Sequence, residues 1–179
     1  GVRSFLACAD KCSKSQLYVN DAVEFTSIWL GELADRHYGK ALAALEVDKT
    51  AEAEKELKKT VSILEKVDQL LASHPDYNLS RWIDFARASA SSEAQKNAAE
   101  ANAKRLITTW GGFQEDYAAR LWSGLIVDYY IPRLEIYFSS GRSSLDSWEE
   151  NWIKTPSHIT ASPMADPIGE AVKLIETIK

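Results

Sequence analysis

The chain has 179 residues, of which 45% are hydrophobic and 26% are charged, a balance typical of a globular protein with a sizeable core. Its formal net charge of −5 argues against a nucleic-acid-binding surface, which requires an excess of basic residues. The sequence contains no apolar run of the roughly 18 residues that a transmembrane helix needs, so no membrane partner is expected.

Helical periodicity dominates the sequence from its start, and strand-like alternation is nearly absent. Cys8 and Cys12 would share one face of a first helix. Because no C-x-x-C pattern supports zinc, we expect two small buried or half-buried residues and no metal site. Asn20 or Asp21 would cap a long helix that continues through Leu45, either unbroken or divided near Gly39.

A second long helix is predicted to begin at Asp48 or Thr50 and to end in the segment SHPDYN. Its apolar stripe would contain Leu57, Val61, Leu64, Val67 and Leu71. The opposite face, AEAEKELKK, is predicted to be a solvated helix surface with i,i+4 ion pairs. A shorter helix should follow from Leu79 to about residue 90.

The capping-box pair Ser92 and Gln95 begins an alanine-rich helix that should end at the Gly-Gly pair 111–112. Glu115 or Asp116 would begin the next helix, which Pro132 should kink or break near residues 128–132. We interpret Pro132 and Arg133 as structural, with Arg133 pairing with freed carbonyls or with an acid. Two final helices are predicted from Ser147 with Glu150, and from Asp166 with Pro167.

These elements predict an all-α fold, a single irregular helical bundle of about seven or eight helices that forms one domain over residues 1–179. The unequal helix pairs argue against a solenoid. The sequence has no phosphate loop, H-E-x-x-H helix or nucleophile elbow, and we predict no cofactor. The acidic pairs 115–116 and 149–150 are explained by helix capping, so no catalytic residue is assigned.

Trp110 is the strongest candidate for ligand contact, because the Gly-Gly pair beside it leaves one face of the ring uncovered. Such a ring offers an apolar platform on which a sugar can stack its C–H face. Tyr117 offers a hydroxyl seven residues later. Core packing is nevertheless the favoured interpretation of both residues on the sequence pattern alone, and it is favoured more strongly for Trp122, Tyr129 and Tyr130.

The block that surrounds these residues, RLITTWGGFQEDYAARLWSGLIVDYYIPRL, carries a resemblance to a known family. Its motifs are Trp110-Gly111, Asp116-Tyr117-Ala118, Ser123-Gly124-Leu125 and Tyr129-Tyr130-Ile131-Pro132-Arg133. They resemble the C-terminal helical domain of the α-N-acetylglucosaminidases, glycoside hydrolases whose lysosomal members degrade heparan sulfate. The resemblance extends over about residues 5–140, which makes residues 141–179 a C-terminal extension without an assigned function.

The resemblance implies a fragment of a larger enzyme, whose upstream (β/α)8 barrel carries both catalytic carboxylates of a retaining mechanism. This domain would not be catalytic alone. It would pack on the catalytic barrel of the same polypeptide and help wall the pocket for an N-acetylglucosamine-terminated glycan. The implied location is secreted, periplasmic or lysosomal.

By motif, Trp110 and Tyr117 would contact the sugar. The loop GGFQE is shorter than the family loop and lacks its proline, so Gly111, Phe113, Gln114 and Asp116 are secondary candidates. Two other functions are compatible with the residues. One is a stand-alone carbohydrate-binding module, and the other is a helical scaffold that binds a partner protein through the charged face of residues 50–66.

Overall fold

The computed structural model describes residues 1–110, 119–157 and 159–178, which form helices joined by short connections. The predicted all-α class is confirmed, since these residues contain no strand and only the isolated bridge between Asn78 and Ser123. No helix in the described ranges has the length and apolar character to cross a membrane. The helices are α1 (Val2–Leu6), α2 (Ala9–Cys12), α3 (Gln16–Glu46), α4 (Thr50–Leu71), α5 (Leu79–Ala88), α6 (Glu93–Ile107), α7 (Ile131–Ser140), α8 (Leu145–Lys154) and α9 (Pro167–Thr177).

The chain forms two compact units, which we call unit 1 (Gly1–Pro75 with Ser162–Lys179) and unit 2 (Asp76–Ala161). Unit 1 is built on α3 and α4, which pack along one another. The predicted long helix is one continuous α3, but it begins at Gln16 because Ser15 caps it, accepting a hydrogen bond from the Tyr18 backbone N–H. The start predicted at Asn20 or Asp21 is therefore wrong.

The buried face of α4 is displaced from the predicted stripe. Its buried residues include Ala53, Glu56 and Thr60, whereas Leu57 and Val61 are only half-buried. Polar side chains can occupy this face because they have partners. The Thr60 hydroxyl, for example, donates to the Glu56 carbonyl at 3.1 Å, and the Glu56 carboxylate lies 2.5 Å from the Nδ1 atom of His37 on α3.

The N-terminal helices of unit 1 differ from the sequence expectation at the cysteines. The first helix ends at Leu6 and α2 begins at Ala9, so Cys8 and Cys12 do not share one helix. Cys12 is half-buried as expected, but Cys8 is exposed, and its expected burial is wrong. The Tyr18 hydroxyl donates to the Phe5 carbonyl at 2.8 Å and so holds the end of α1.

The last helix of unit 1, α9, begins as predicted. The Asp166 side chain caps it by accepting a 2.9 Å hydrogen bond from the Gly169 N–H, and Pro167 occupies its first turn. Near the other end, the Arg3 guanidinium donates to the Ile175 carbonyl at 3.3 Å.

Unit 2 has an aromatic core. Tyr129 lies at its centre with no exposed surface, and its ring centroid is 4.7 Å from that of Trp152 and 5.5 Å from that of Trp148. Trp82 and Trp122 pack against the same cluster with their ring centroids 5.9 Å apart. The core packing predicted for Trp122, Tyr129 and Tyr130 is confirmed.

The helix expected from Glu115 or Asp116 does not include residues 119–124, and this part of the prediction is wrong. Ser123 instead forms a short parallel pairing: its N–H donates to the Tyr77 carbonyl at 2.9 Å, and its carbonyl accepts from the Leu79 N–H at 2.9 Å. Gly124 follows with φ of +84°, a conformation that turns the chain before the next helix.

A π-helical turn, Ile126–Tyr130, precedes α7 and closes with a hydrogen bond from the Ile131 N–H to the Ile126 carbonyl. Pro132 stands in the first turn of α7, where its missing N–H leaves the α-helical pattern incomplete. The helix is not broken near residues 128–132, and the irregularity there is this π-helical turn. Such a local insertion often marks functional segments.

Candidate functional site

Trp110 stands just beyond the end of α6 and is 59% exposed. The other tryptophans of unit 2 in the described ranges are buried or half-buried. The ring therefore offers accessible apolar surface, which is the property that singled it out in the sequence. Tyr117, Gly111, Phe113, Gln114 and Asp116 lie outside the described residues.

The chain that leads into Trp110 is fixed by buried threonines. Thr108 and Thr109 are 1% and 7% exposed. The Thr108 hydroxyl donates to the Lys104 carbonyl at 2.8 Å and its N–H donates to the Arg105 carbonyl at 3.3 Å. Trp110 is thus an exposed side chain on a well-anchored piece of backbone, and such anchoring lowers the entropy lost when a ligand is bound.

A buried ion pair on α6 supports this anchor. Glu100 and Lys104 are 2% and 1% exposed, and the Lys104 ammonium lies 3.2 Å from the Glu100 carboxylate. The Glu100 carboxylate also accepts from Arg87 at 2.8 Å and from the Ser157 N–H at 2.6 Å. Burial lowers the pKa of Lys104, and the Glu100 charge opposes that shift.

The sequence indicated only that α6 is an alanine-rich helix, and it did not indicate this network. Ala94 and Ala98 are exposed, and the buried line instead contains Glu100, Lys104 and Ile107. The i,i+4 spacing of Glu100 and Lys104 was an available signal for an ion pair, but it did not indicate burial.

After residues 111–118, the Tyr130 side chain holds the backbone at Arg120. The Arg120 N–H donates to the Tyr130 hydroxyl at 3.1 Å. Ser123 then pairs with Tyr77 and Leu79 as described above. The backbone before residues 111–118 and the backbone after them are therefore both held by hydrogen bonds within unit 2.

The acidic pair Glu149 and Glu150 is not arranged for catalysis. Glu149 has no exposed surface, and its Oε1 atom accepts from the Tyr129 hydroxyl at 2.9 Å and from Arg133 Nε at 2.7 Å. Arg133 thus pairs with an acid, as the sequence suggested. A hydrogen bond from Lys154 lowers the pKa of Glu150, which makes that carboxyl a poor proton donor. Three or more potential metal ligands do not cluster anywhere in the described residues.

The fold and the site together define an all-α domain with a buried aromatic core and an exposed tryptophan at the end of a helix. The family model described as "Alpha-N-acetylglucosaminidase (NAGLU) C-terminal domain" matches residues 1–177. The chain therefore belongs to this family of C-terminal domains. The sequence resemblance covered only about residues 5–140, and residues 141–179 were predicted to be a C-terminal extension. The family model instead includes nearly all of residues 141–179.

Individual relatives agree with this assignment. Over 148 residues, the chain is 29% identical to the alpha-N-acetylglucosaminidase of Homo sapiens, a match that covers 77% of this chain and 19% of that protein. The family 89 glycoside hydrolase from Clostridium perfringens, solved in complex with PUGNAc, matches with a TM-score of 0.83 at 23% identity over 98% of this chain and 23% of its own. At that identity the likeness establishes a shared fold.

The same Clostridium perfringens enzyme, solved with its substrate GlcNAc-alpha-1,4-galactose, matches with a TM-score of 0.81 at 23% identity over 98% of this chain and 22% of its own. The chain thus spans about a fifth of the length of these relatives.

Proposed function

We propose that this chain is the non-catalytic helical domain of an α-N-acetylglucosaminidase, where it packs on the catalytic barrel and helps to wall the N-acetylglucosamine pocket. The observation that carries the proposal is the exposure of Trp110 on an anchored helix end, within a member of this domain family. The relatives' greater length supports a catalytic partner domain in the same polypeptide, because the chain matches only about a fifth of each.

Within this proposal, Trp110 stacks on the apolar face of the sugar, and Tyr117 donates or accepts a hydrogen bond. Neither residue takes part in bond cleavage. The acid/base and the nucleophile, the two carboxylates that a retaining glycosidase uses, belong to the barrel. The role of the helical domain is to position the sugar and exclude water, so that less orientational entropy is lost on reaching the transition state.

The free-standing carbohydrate-binding module is the second candidate, since an exposed tryptophan is also what such a module would use. It predicts that the isolated chain binds N-acetylglucosamine. Tryptophan fluorescence that stays constant up to high-millimolar sugar would argue against this second function and leave the first intact.

The primary test uses the full-length enzyme that contains this chain. Steady-state hydrolysis of an aryl α-N-acetylglucosaminide would be compared in wild type, Trp110→Ala and Tyr117→Phe. We expect kcat/KM to fall by at least about tenfold in Trp110→Ala, equivalent to about 1.4 kcal/mol.

The matched control is Phe85→Ala, which removes another exposed aromatic ring of unit 2, 64% exposed on α5. This control should retain wild-type kcat/KM. Wild-type activity in both Trp110→Ala and Tyr117→Phe would contradict the proposed sugar contact and reduce the domain to a scaffold for the barrel.

A further inference from the structure

We propose that an apolar groove between α1 and α3 is the surface of unit 1 on which the catalytic part of the same polypeptide docks. This inference rests on the proposed function and adds the residues through which the two parts of the enzyme meet. The groove has a volume of about 450 Å³. Within the described part of the chain, its lining side chains are apolar except for one carboxylate, and they are Val2, Phe5, Phe25, Ile28, Trp29 and Glu32. We call it the α1–α3 groove.

Helix α3 is apolar on two faces. One face contains the buried Val23 and Leu30 and belongs to the core of unit 1. Phe25, Ile28 and Trp29 have the i,i+3,i+4 spacing of a second packed face, yet Phe25 is 40% exposed and Ile28 is 48% exposed. Contiguous exposed surface of this kind, built from aromatic and aliphatic side chains, is typical of an interaction site.

The groove is formed before any partner binds. The Phe5 ring stacks on the Tyr18 ring with centroids 4.7 Å apart, and it meets the Phe25 ring edge-on at 5.1 Å. The Tyr18 hydroxyl donates to the Phe5 carbonyl at 2.8 Å and so fixes α1 against α3. Because these contacts hold the wall of the groove in place, little side-chain entropy is lost when a partner covers it.

The position of Gly1 identifies the occupant. The matching family is one of C-terminal domains, and the chain spans about a fifth of its relatives, so the catalytic part of such an enzyme precedes this domain. Gly1 itself lines the α1–α3 groove. A domain joined to the chain beside the groove is present there at a high effective concentration, which favours it over a second copy of the enzyme.

The lining also defines the chemistry of the docked surface. Aliphatic and aromatic side chains fit it, because the apolar rings of the groove gain free energy on leaving water but offer a polar partner few hydrogen bonds. The carboxylate of Glu32 lies 3.9 Å from the guanidinium of Arg36 in an exposed ion pair. Its charge is therefore already paired and does not require a basic occupant.

The test measures the accessibility of the groove in the full-length enzyme through Ile28→Cys. The control is Val47→Cys, at a residue that is 62% exposed just beyond the end of α3 and outside the groove. We expect a maleimide to label the thiol introduced at position 28 at least about tenfold more slowly than the one at position 47, because a covered thiol reacts only when the interface opens. Mass spectrometry of digested peptides reads each site, and both thiols should react at similar rates in urea.

A second copy of the enzyme is distinguished by dilution. Protection by the same polypeptide does not depend on protein concentration, whereas protection by another copy weakens when the enzyme is diluted about a hundredfold. Similar labelling rates at the two positions in the native enzyme would overturn the docking surface. Protection that is lost on dilution would also overturn it and would make the groove an interface between copies.

The kinetics of Trp110→Ala, measured in parallel, separate this inference from the proposed sugar contact. Similar labelling rates together with impaired Trp110→Ala overturn the docking surface and leave the sugar contact standing. Concentration-independent protection together with wild-type kcat/KM in Trp110→Ala supports the docking surface and contradicts the sugar contact.

Discussion

The ammonium nitrogen of Lys104 lies 2.5 Å from the carbonyl oxygen of Thr155, so that α6 caps the C-terminal end of α8. The same nitrogen lies 3.3 Å from the Trp152 carbonyl and 4.7 Å from the centre of the Trp152 ring. A cation at this position is stabilised by the negative end of the helix dipole and by the face of the indole. Lys104 thus compensates for its burial through contacts with a neighbouring helix.

We predict that Lys104→Met lowers the free energy of unfolding by about 3 kcal/mol, because it leaves the buried Glu100 without one of its cations and the end of α8 without its cap. Urea unfolding followed by tryptophan fluorescence would measure this effect, since five of the six tryptophans belong to unit 2. The control Lys96→Met removes a partly exposed lysine of the same helix and should cost less than about 0.5 kcal/mol. Equal losses in the two variants would contradict the capping role.

Acid should weaken unit 1 through Glu56. Hydrogen bonds from Lys59 and then from His37 lower the pKa of Glu56 from 4.5 to about 2. A carboxyl with a lowered folded-state pKa stabilises the fold above its unfolded pKa and loses that contribution as the pH falls through the folded value. The stabilisation should therefore be complete near pH 6 and should decline between about pH 4.5 and pH 2.

The measurement is the stability difference between wild type and Glu56→Gln at several pH values. We expect this difference to reach up to about 3 kcal/mol near pH 6 and to shrink steadily toward pH 2. Glu52→Gln, at an exposed carboxylate on the same helix, should give a small difference at every pH. A difference for Glu56→Gln that does not vary with pH would be inconsistent with the lowered pKa.

Gly124 should tolerate no side chain. Its φ of +84° is strained for other residues, and an added Cβ would lie 2.9 Å from the Ile159 Cγ2 atom and 3.2 Å from the Leu79 Cβ atom. We predict that Gly124→Ala costs about 3 kcal/mol of stability. Gly39→Ala is the matched control, because a Cβ there meets nothing within 4 Å and the helical backbone gains about 0.5–1 kcal/mol. Thermal unfolding would show opposite shifts, and a tolerated Gly124→Ala would refute the close approach.

Arg133 should stabilise unit 2 by neutralising Glu149. We predict that Arg133→Met costs about 3 kcal/mol, since it leaves a fully buried carboxylate without its cation. Adding Glu149→Gln should recover part of this loss, because glutamine keeps an acceptor for the Tyr129 hydroxyl and carries no charge. A double variant less stable than Arg133→Met alone, measured by urea unfolding, would show that the charge pairing is not the main interaction.

Much of the helical architecture could be predicted because its determinants are local. The capping box of Ser92 and Gln95 and the Asp166 cap lie where the sequence places them. The π-helical turn next to Pro132 likewise follows from the chemistry of one residue. These features depend on hydrogen bonds between residues three or four positions apart, which the sequence displays directly.

Other features could not be predicted because they depend on contacts between distant segments. Glu100, Lys104 and Glu149 are among the most buried side chains, yet charged residues are expected at the surface unless their partners are known. The pairing of Ser123 with residues 77 and 79 likewise replaces a helix that local propensity favoured. For the candidate site, the sequence selected Trp110, while the supporting contacts of Lys104 and Tyr130 became apparent only from the fold.

The π-helical turn before α7 supplies one residue that could be removed without rotating the helix that follows. Ile126–Tyr130 contains one residue more than an α-helical turn would need, and Val127 within it is 40% exposed. A homologue one residue shorter here can close the wide turn to an ordinary one and keep Arg133 beside Glu149. A one-residue deletion inside α7 cannot be absorbed in this way, because it rotates every following side chain of the helix by about 100°.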